Sequence, residues 1–121
     1  MVDDVTTRRV IGAFYEVYNT LGYGFLEAVY ARALERELRA RGLSVAREVL
    51  VEVRYKGAVV GVFRADMLVE GRLVLELKAT PALAPHDRAQ LHNYLRGSGL
   101  EVGLLLHFGP EPEVRRVTLA A

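Results

Sequence analysis

The period of the hydrophobic residues changes along this chain, and that change limits what it can fold into. From Asp4 to Leu21, the residues Val10, Ile11, Phe14, Val17, Tyr18 and Leu21 recur at helical spacing, so one helix face is apolar. Gly22 and Gly24 supply a stop and a turn. A second stripe (Leu26, Val29, Tyr30, Ala33, Leu34, Leu38) predicts a helix from Phe25 to Arg41, closed by Gly42. Beyond Val45 the period drops to two. Val49, Val51, Val53 and Tyr55 alternate with Glu48, Leu50, Glu52 and Arg54, which marks a strand with one polar face. Lys56-Gly57 turns the chain into a second strand, Val59 to Val69, and Glu70-Gly71 into a third, Leu73 to Ala79. A loop with two prolines, Thr80 to Pro85, leads to a short helix, His86 to Arg96, with Leu91, Tyr94 and Leu95 on its apolar side. Val102 to Phe108 reads as a buried strand, and Val114 to Leu119 as a last, edge strand.

Three strands joined by short turns form an antiparallel meander. The helix before the fourth strand is long enough for a crossover to a parallel neighbour. The expected fold class is therefore α/β, a mixed central sheet with helices on its faces. With 121 residues, 51% hydrophobic and 26% charged, the chain holds enough material for one core, and a single domain over 1–121 is expected. There is no Cys, which excludes disulfides, thiolate zinc sites and thiol catalysis and fits a reducing, cytoplasmic setting. No apolar run is long enough to span a membrane, and Met1-Val2-Asp3-Asp4 lacks a secretion-signal pattern. A net charge of +1 does not mark a nucleic-acid binder by bulk charge. Arg outnumbers Lys 14 to 2, but most Arg alternate with Glu, as a compositional habit would have it. Arg8, Arg9, Arg32, Arg36, Arg39, Arg115 and Arg116 form a phosphate track only if the fold gathers them.

The densest set of chemical groups lies between Arg64 and Lys78. If the hairpin loop is Glu70, Gly71 and Arg72, then Val69 pairs with Leu73, Asp66 faces Glu76, and Lys78 points to the same side. A two-residue loop would pair Asp66 with Leu75 and send the carboxylates to opposite faces. Facing carboxylates repel, so such a pair is kept where a cation joins them or one is protonated. Hard oxygen donors suit Mg²⁺ or Mn²⁺. The competing reading is a plain Glu76–Lys78 ion pair on a solvent-facing sheet. Gly24, Glu27 and Tyr30 are three apart and line one side of the second helix, with Gly24 open to close backbone approach. Glu27 falls in the first turn, where the helix dipole alone favours an acid. Gln90 and Tyr94 share a face of the third helix, although Tyr94 alone would also serve a core. His86, His92 and His107 have no metal-ligand spacing, and no His is given a catalytic part.

Taken together, these residues resemble a known pattern. Gly24-x-x-Glu27-x-x-Tyr30 is similar to the signature of the small GxxExxY proteins. Asp66 followed by Glu76-Leu77-Lys78 resembles the core of the PD-(D/E)XK nuclease superfamily, and Gln90-x-x-x-Tyr94 is similar to the helix motif of its RecB-like branch. The resemblance runs from about Arg9 to Leu119. It implies a restriction-endonuclease-like core (α-β-β-β-α-β) with an extra N-terminal helix and a C-terminal edge strand. It also implies metal-dependent hydrolysis of phosphodiester bonds in nucleic acid, DNA ahead of RNA. Under it, Glu27, Asp66, Glu76 and the carbonyl of Leu77 would hold Mg²⁺ or Mn²⁺. Lys78 would orient or activate the attacking water, and Gln90 and Tyr94 would line the cleft. The proline of the motif is Ala65 here, at a position that varies widely. The alternative is a non-catalytic module that binds nucleic acid or protein on the same fold. A homodimer through Val114–Leu119 or the first helix is compatible with either, as is a protein partner that brings the chain to its target.

Overall fold

The computed structural model describes residues 4–119, with only the backbone of Asp4. The elements are α1 (Asp4–Leu21), α2 (Glu27–Ala40), β1 (Val45–Tyr55), β2 (Ala58–Val69), β3 (Leu73–Lys78), α3 (Pro85–Ser98), β4 (Val102–Phe108) and β5 (Pro112–Thr118). The strands form one sheet in the order β1-β2-β3-β4-β5. Neighbours are antiparallel except β3 and β4, which run parallel across the α3 connection. This is the α/β architecture with a mixed sheet that the period change predicts. Several boundaries differ from the sequence reading by one or two residues, these among them. Helix α2 starts at Glu27 rather than Phe25. Helix α3 starts at Pro85, whose fixed φ suits a first helical position, and runs on to Ser98. Strand β5 starts at Pro112, ahead of the expected Val114, and pairs with β4 as an edge strand. Among the described residues, no helix is long and apolar enough to cross a membrane.

Two apolar layers sandwich the sheet. On one face, Val10, Ala13, Phe14 and Val17 of α1 and Tyr30, Leu34 and Leu38 of α2 pack on Met67, Leu75, Leu77, Leu104, Leu106 and Phe108. Phe108 is the hinge of this layer, stacked on Tyr30 at 4.2 Å and met edge-on by Phe14 at 4.8 Å. On the other face, Leu91 and Leu95 of α3 pack on Phe63, Ala65, Val74, Leu105 and Val117. Gly103 lets α3 come close, since a Cβ there would lie 3.0 Å from Leu91 Cδ1. β3 and β4 are covered on both sides, which is why they read as nearly continuous apolar runs.

The β1–β2 hairpin shifts register between Val53 and Arg54, and further along it changes face. Phe63 and Ala65 pack on the α3 side, whereas Met67 and Val69 pack on the α1–α2 side, although all four are odd-numbered. The same happens in β1, where Val45 belongs to one layer and Val51 and Val53 border the other. Between them lie Glu48, with φ at 52°, and Asp66, where the β1–β2 ladder skips a pair. The hairpin thus turns over at Asp66, a distortion that a β-branched or alternating strand would resist.

The α1–α2 turn is held by one side chain. Buried Tyr30 donates its hydroxyl to the Gly22 carbonyl at 2.5 Å and accepts the Phe25 N–H at 3.2 Å. Replacing Tyr30 by Phe keeps the ring on Phe108 but strands both backbone groups. Urea denaturation of Tyr30→Phe should show a loss of about 1–3 kcal/mol, and an unchanged midpoint would contradict this role.

Candidate active site

The site begins where a ladder stops. β2 and β3 pair only at Met67↔Leu75, Leu68↔Val74 and Val69↔Leu73. Beyond Met67 and Leu75 the strands part, β2 staying with β1 and β3 running on beside β4 to Lys78↔His107. The loop is the longer alternative: Glu70 and Gly71 both have positive φ, Arg72 N–H bonds the Val69 carbonyl, and Val69 pairs with Leu73. That parity sets Asp66 against Glu76. Where ladder bonds are missing, side chains replace them. Asp66 Oδ2 accepts the Leu77 N–H at 2.7 Å, and the Asp66 backbone bonds the Glu76 carboxyl in return.

The electrostatics show which groups share this fork. Burial pushes the Glu76 carboxyl up to about 7, the Asp66 and Glu27 carboxylates push the same way, and the Asp66 backbone and Lys78 oppose. Burial also raises Asp66, against the Leu77 N–H, Lys78 and Arg47, while Glu48 adds to the rise. Glu27, although exposed at the first turn of α2, is raised by partial desolvation and by Asp66, and lowered by Lys78. Three carboxyls from α2, β2 and β3 therefore sense one another and a common ammonium. Glu76 Oε1 is buried without a hydrogen-bond partner. The donor set, hard oxygens held toward protonation by burial and mutual repulsion, fits Mg²⁺ or Mn²⁺. Among the described residues, however, no group of three or more His, Asp or Glu side chains is placed so that it could hold an ion.

Lys78 does not make the surface ion pair with Glu76 that the competing reading needs. Its Nζ lies 3.9 Å from Asp87 Oδ1 of α3. Asp87 is itself 90% covered and its Oδ2 accepts the Ala84 N–H at 3.0 Å, fixing the first turn of α3. Sequence reading passed over Asp87, Arg47 and Glu48. Pro85 followed two residues later by an acid is a helix-start signal that points to Asp87. Arg47 and Glu48 carry no such signal, since their place depends on the turnover in β1.

One expectation needs correction. Gly24, Glu27 and Tyr30 do not line one side of a helix. Gly24 precedes α2, and Tyr30 turns into the core while Glu27 stays exposed at the first helical position. Gly24 is required for its φ of +118°, and not for close approach, because a Cβ there would meet nothing within 4 Å. Gln90 Nε2 donates to the Tyr94 hydroxyl at 2.6 Å, and Tyr94 stacks on Phe63 at 3.8 Å. These described contacts link the pair to β2 and not to the carboxyls. Arg8 and Arg116 border the same groove, whereas Arg39 and Arg115 are engaged by Glu35 and Glu113. His107 is buried with Nε2 on the Thr80 carbonyl at 2.7 Å.

The fold and the fork define a restriction-endonuclease-like α/β domain. Residues 4–117 match the family model of the PD-(D/E)XK nuclease superfamily, and the chain belongs to that superfamily. Its structure is similar to the crystal structure of SSO0001, with a TM-score of 0.56 and 23% identity over 78% of this chain. The match spans 50% of that longer chain and speaks to the fold alone. No curated protein gives a significant match.

The raised carboxyls have a consequence for stability. A group whose folded pKa exceeds its unfolded value stabilises the fold below the unfolded pKa and loses that contribution as pH rises through the folded one. For Glu76 that window runs from 4.5 to about 7. Without divalent cations, stability should fall across this window, and Glu76→Gln should flatten the fall. Denaturant midpoints against pH read this directly, and parallel profiles for the two proteins would contradict it.

Proposed function

We propose that the chain is a metal-dependent nuclease of the GxxExxY group on the RecB-like branch. Residues 1–121 act as one domain, and the reaction is phosphodiester hydrolysis in nucleic acid, DNA ahead of RNA. The observation that carries this reading is the fork itself. Three carboxyls of separate elements are each raised, chiefly by burial, with Asp66 adding to the rise of Glu27 and Glu76 and Glu27 to that of Glu76, and with Lys78 opposing all three. Such groups are costly to hold together and cluster where chemistry uses them.

In this reading Asp66, Glu76 and Glu27, with the Leu77 carbonyl, would hold Mg²⁺ or Mn²⁺. When bound, the ion supplies a Lewis acid and charge neutralisation for the phosphate. The reaction adds a water oxygen to phosphorus and breaks the bond to one sugar oxygen, leaving a phosphomonoester and a hydroxyl. Lys78 brings positive charge to the side of the phosphate that becomes more negative and orients the attacking water. Asp87 limits where the Lys78 ammonium can go, and so acts as a positioning residue. In this reading Gln90 and Tyr94, hydrogen-bonded to each other, would meet the substrate from α3. The open arrangement of the carboxyls favours a second reading, a binding module on a nuclease fold.

A panel of labelled single-stranded, duplex and four-way-junction nucleic acids with Mg²⁺ or Mn²⁺ separates the two. The nuclease reading predicts product with the wild type and none with Glu76→Ala; binding without product supports the module. Lys78→Ala should lose cleavage by at least about 10²-fold while keeping Mn²⁺ binding. Asp66→Ala should lose Mn²⁺ binding in titration calorimetry. A fully active Lys78→Ala protein would remove the role given to that residue.

A further inference from the structure

Many arginines of this chain meet a carboxylate. Arg41 bonds Glu37 at 2.8 Å, Arg47 bonds Glu35 at 3.0 Å, and Arg54 bonds Glu52 at 2.6 Å. The β5 edge of the sheet breaks that habit. Arg88, on the first turn of α3, and Arg116, on β5, line one groove together with His92 and Thr118. Arg116 also lines a neighbouring groove with Arg8 of α1. All three arginines are exposed. No carboxylate is among the described residues lining either groove. Among the described residues, no acid is paired with Arg8 or Arg88. Arg88 also borders a third groove, with Glu111 and Glu113, where Arg115 already engages Glu113.

Like charges set across a strand edge with no acid between them repel, and an anion relieves that repulsion. The grooves favour an extended one. Arg8, Arg116 and Arg88 belong to α1, β5 and α3, so a ligand that meets all three must cross the sheet edge, as a chain of phosphates does. No aromatic ring is among the described residues lining either groove, so nothing there stacks on an unpaired base. Contacts to phosphate alone suit a double helix, which keeps its bases stacked inside and its phosphates outside. This edge also begins beside the fork. The first turn of α3 sends Asp87 toward Lys78 and Arg88 toward β5. We infer that the Arg8–Arg116–Arg88 edge holds the phosphate backbone of a duplex that reaches the fork, which makes double-stranded DNA the substrate class. This rests on the nuclease reading for its purpose but is tested without it.

The test is fluorescence anisotropy with a fluorescein-labelled DNA duplex of mixed sequence, titrated at several salt concentrations in EDTA so that nothing is cut. Each neutralised phosphate adds about 0.9 to the slope of log K against log salt. Arg88→Ala and Arg8→Ala should each weaken duplex binding by roughly five- to tenfold at about 100 mM salt and lower that slope by about 0.9. A duplex of another sequence should lose as much, because phosphate contacts carry no sequence. Arg54→Ala is the control for bulk charge. It removes the same charge from β1, at the opposite edge of the sheet, and should leave binding within about twofold, since charges further apart than about 10 Å are screened. All three side chains are exposed, so their replacement keeps the fold, which circular dichroism and the thermal midpoint verify. An unchanged slope for Arg88→Ala, or an equal loss for Arg54→Ala, overturns the inference. So does a greater loss for labelled oligothymidylate than for the duplex, because the edge then serves single strands. A protein that binds duplexes through this edge but cuts nothing keeps this inference and loses the nuclease. One that cuts with an indifferent Arg88 does the reverse.

Discussion

The parity of one hairpin governs the rest of the structure. Because Arg72 is counted in the turn, Val69 meets Leu73, and Asp66 and Glu76 fall opposite each other. One residue fewer would send them to opposite faces and leave α3 facing an apolar sheet. The ladder then ends after three pairs, and the strands separate around the two acids. Asp66 completes the opening by taking the Leu77 N–H that no strand takes. Backbone irregularity and carboxyl chemistry thus have the same origin, since the turnover at Glu48 and Asp66 and the end of the β2–β3 ladder occur side by side.

This arrangement works against folding. Glu76 is covered, lacks a partner for Oε1, and faces two other acids. An apolar residue at that place in β3 would pack between Val74 and α3 without such opposition. Buried acids of this kind are strained in the free protein and relieved when a proton or a cation arrives. The two cores on either side supply the rigidity that keeps them there. The Tyr30–Phe108–Phe14 stack fixes the α2 entry that holds Glu27, and the packing of Leu91 and Leu95 fixes the α3 turn that holds Asp87.

Much of the fold was legible because its signals are local. The period-two run of β1, the 3.6 period of α1 and the unbroken apolar run of β4 each follow from burial on one face or two. The facing of Asp66 and Glu76 was legible only as a choice between loop lengths. The sequence alone does not show which loop forms, because Glu70-Gly71 suits either. Gly24 was misplaced because residues three apart share a face only when both are inside a helix, and α2 starts at Glu27; Tyr30 is inside it but turns into the core. The turnover at Glu48 was invisible, since a positive φ at a glutamate leaves no mark in the pattern. Asp87 was within reach, masked by starting the helix one residue late.

The most direct test of the fork is the proton balance of Mn²⁺ binding, measured by calorimetry in buffers of different ionisation enthalpy. Carboxyls held toward protonation must release protons when a cation takes their place. The account predicts release approaching one proton per ion near about pH 6 and falling away by about pH 8. Binding with no proton released at the lower pH, or no binding at all, would contradict it.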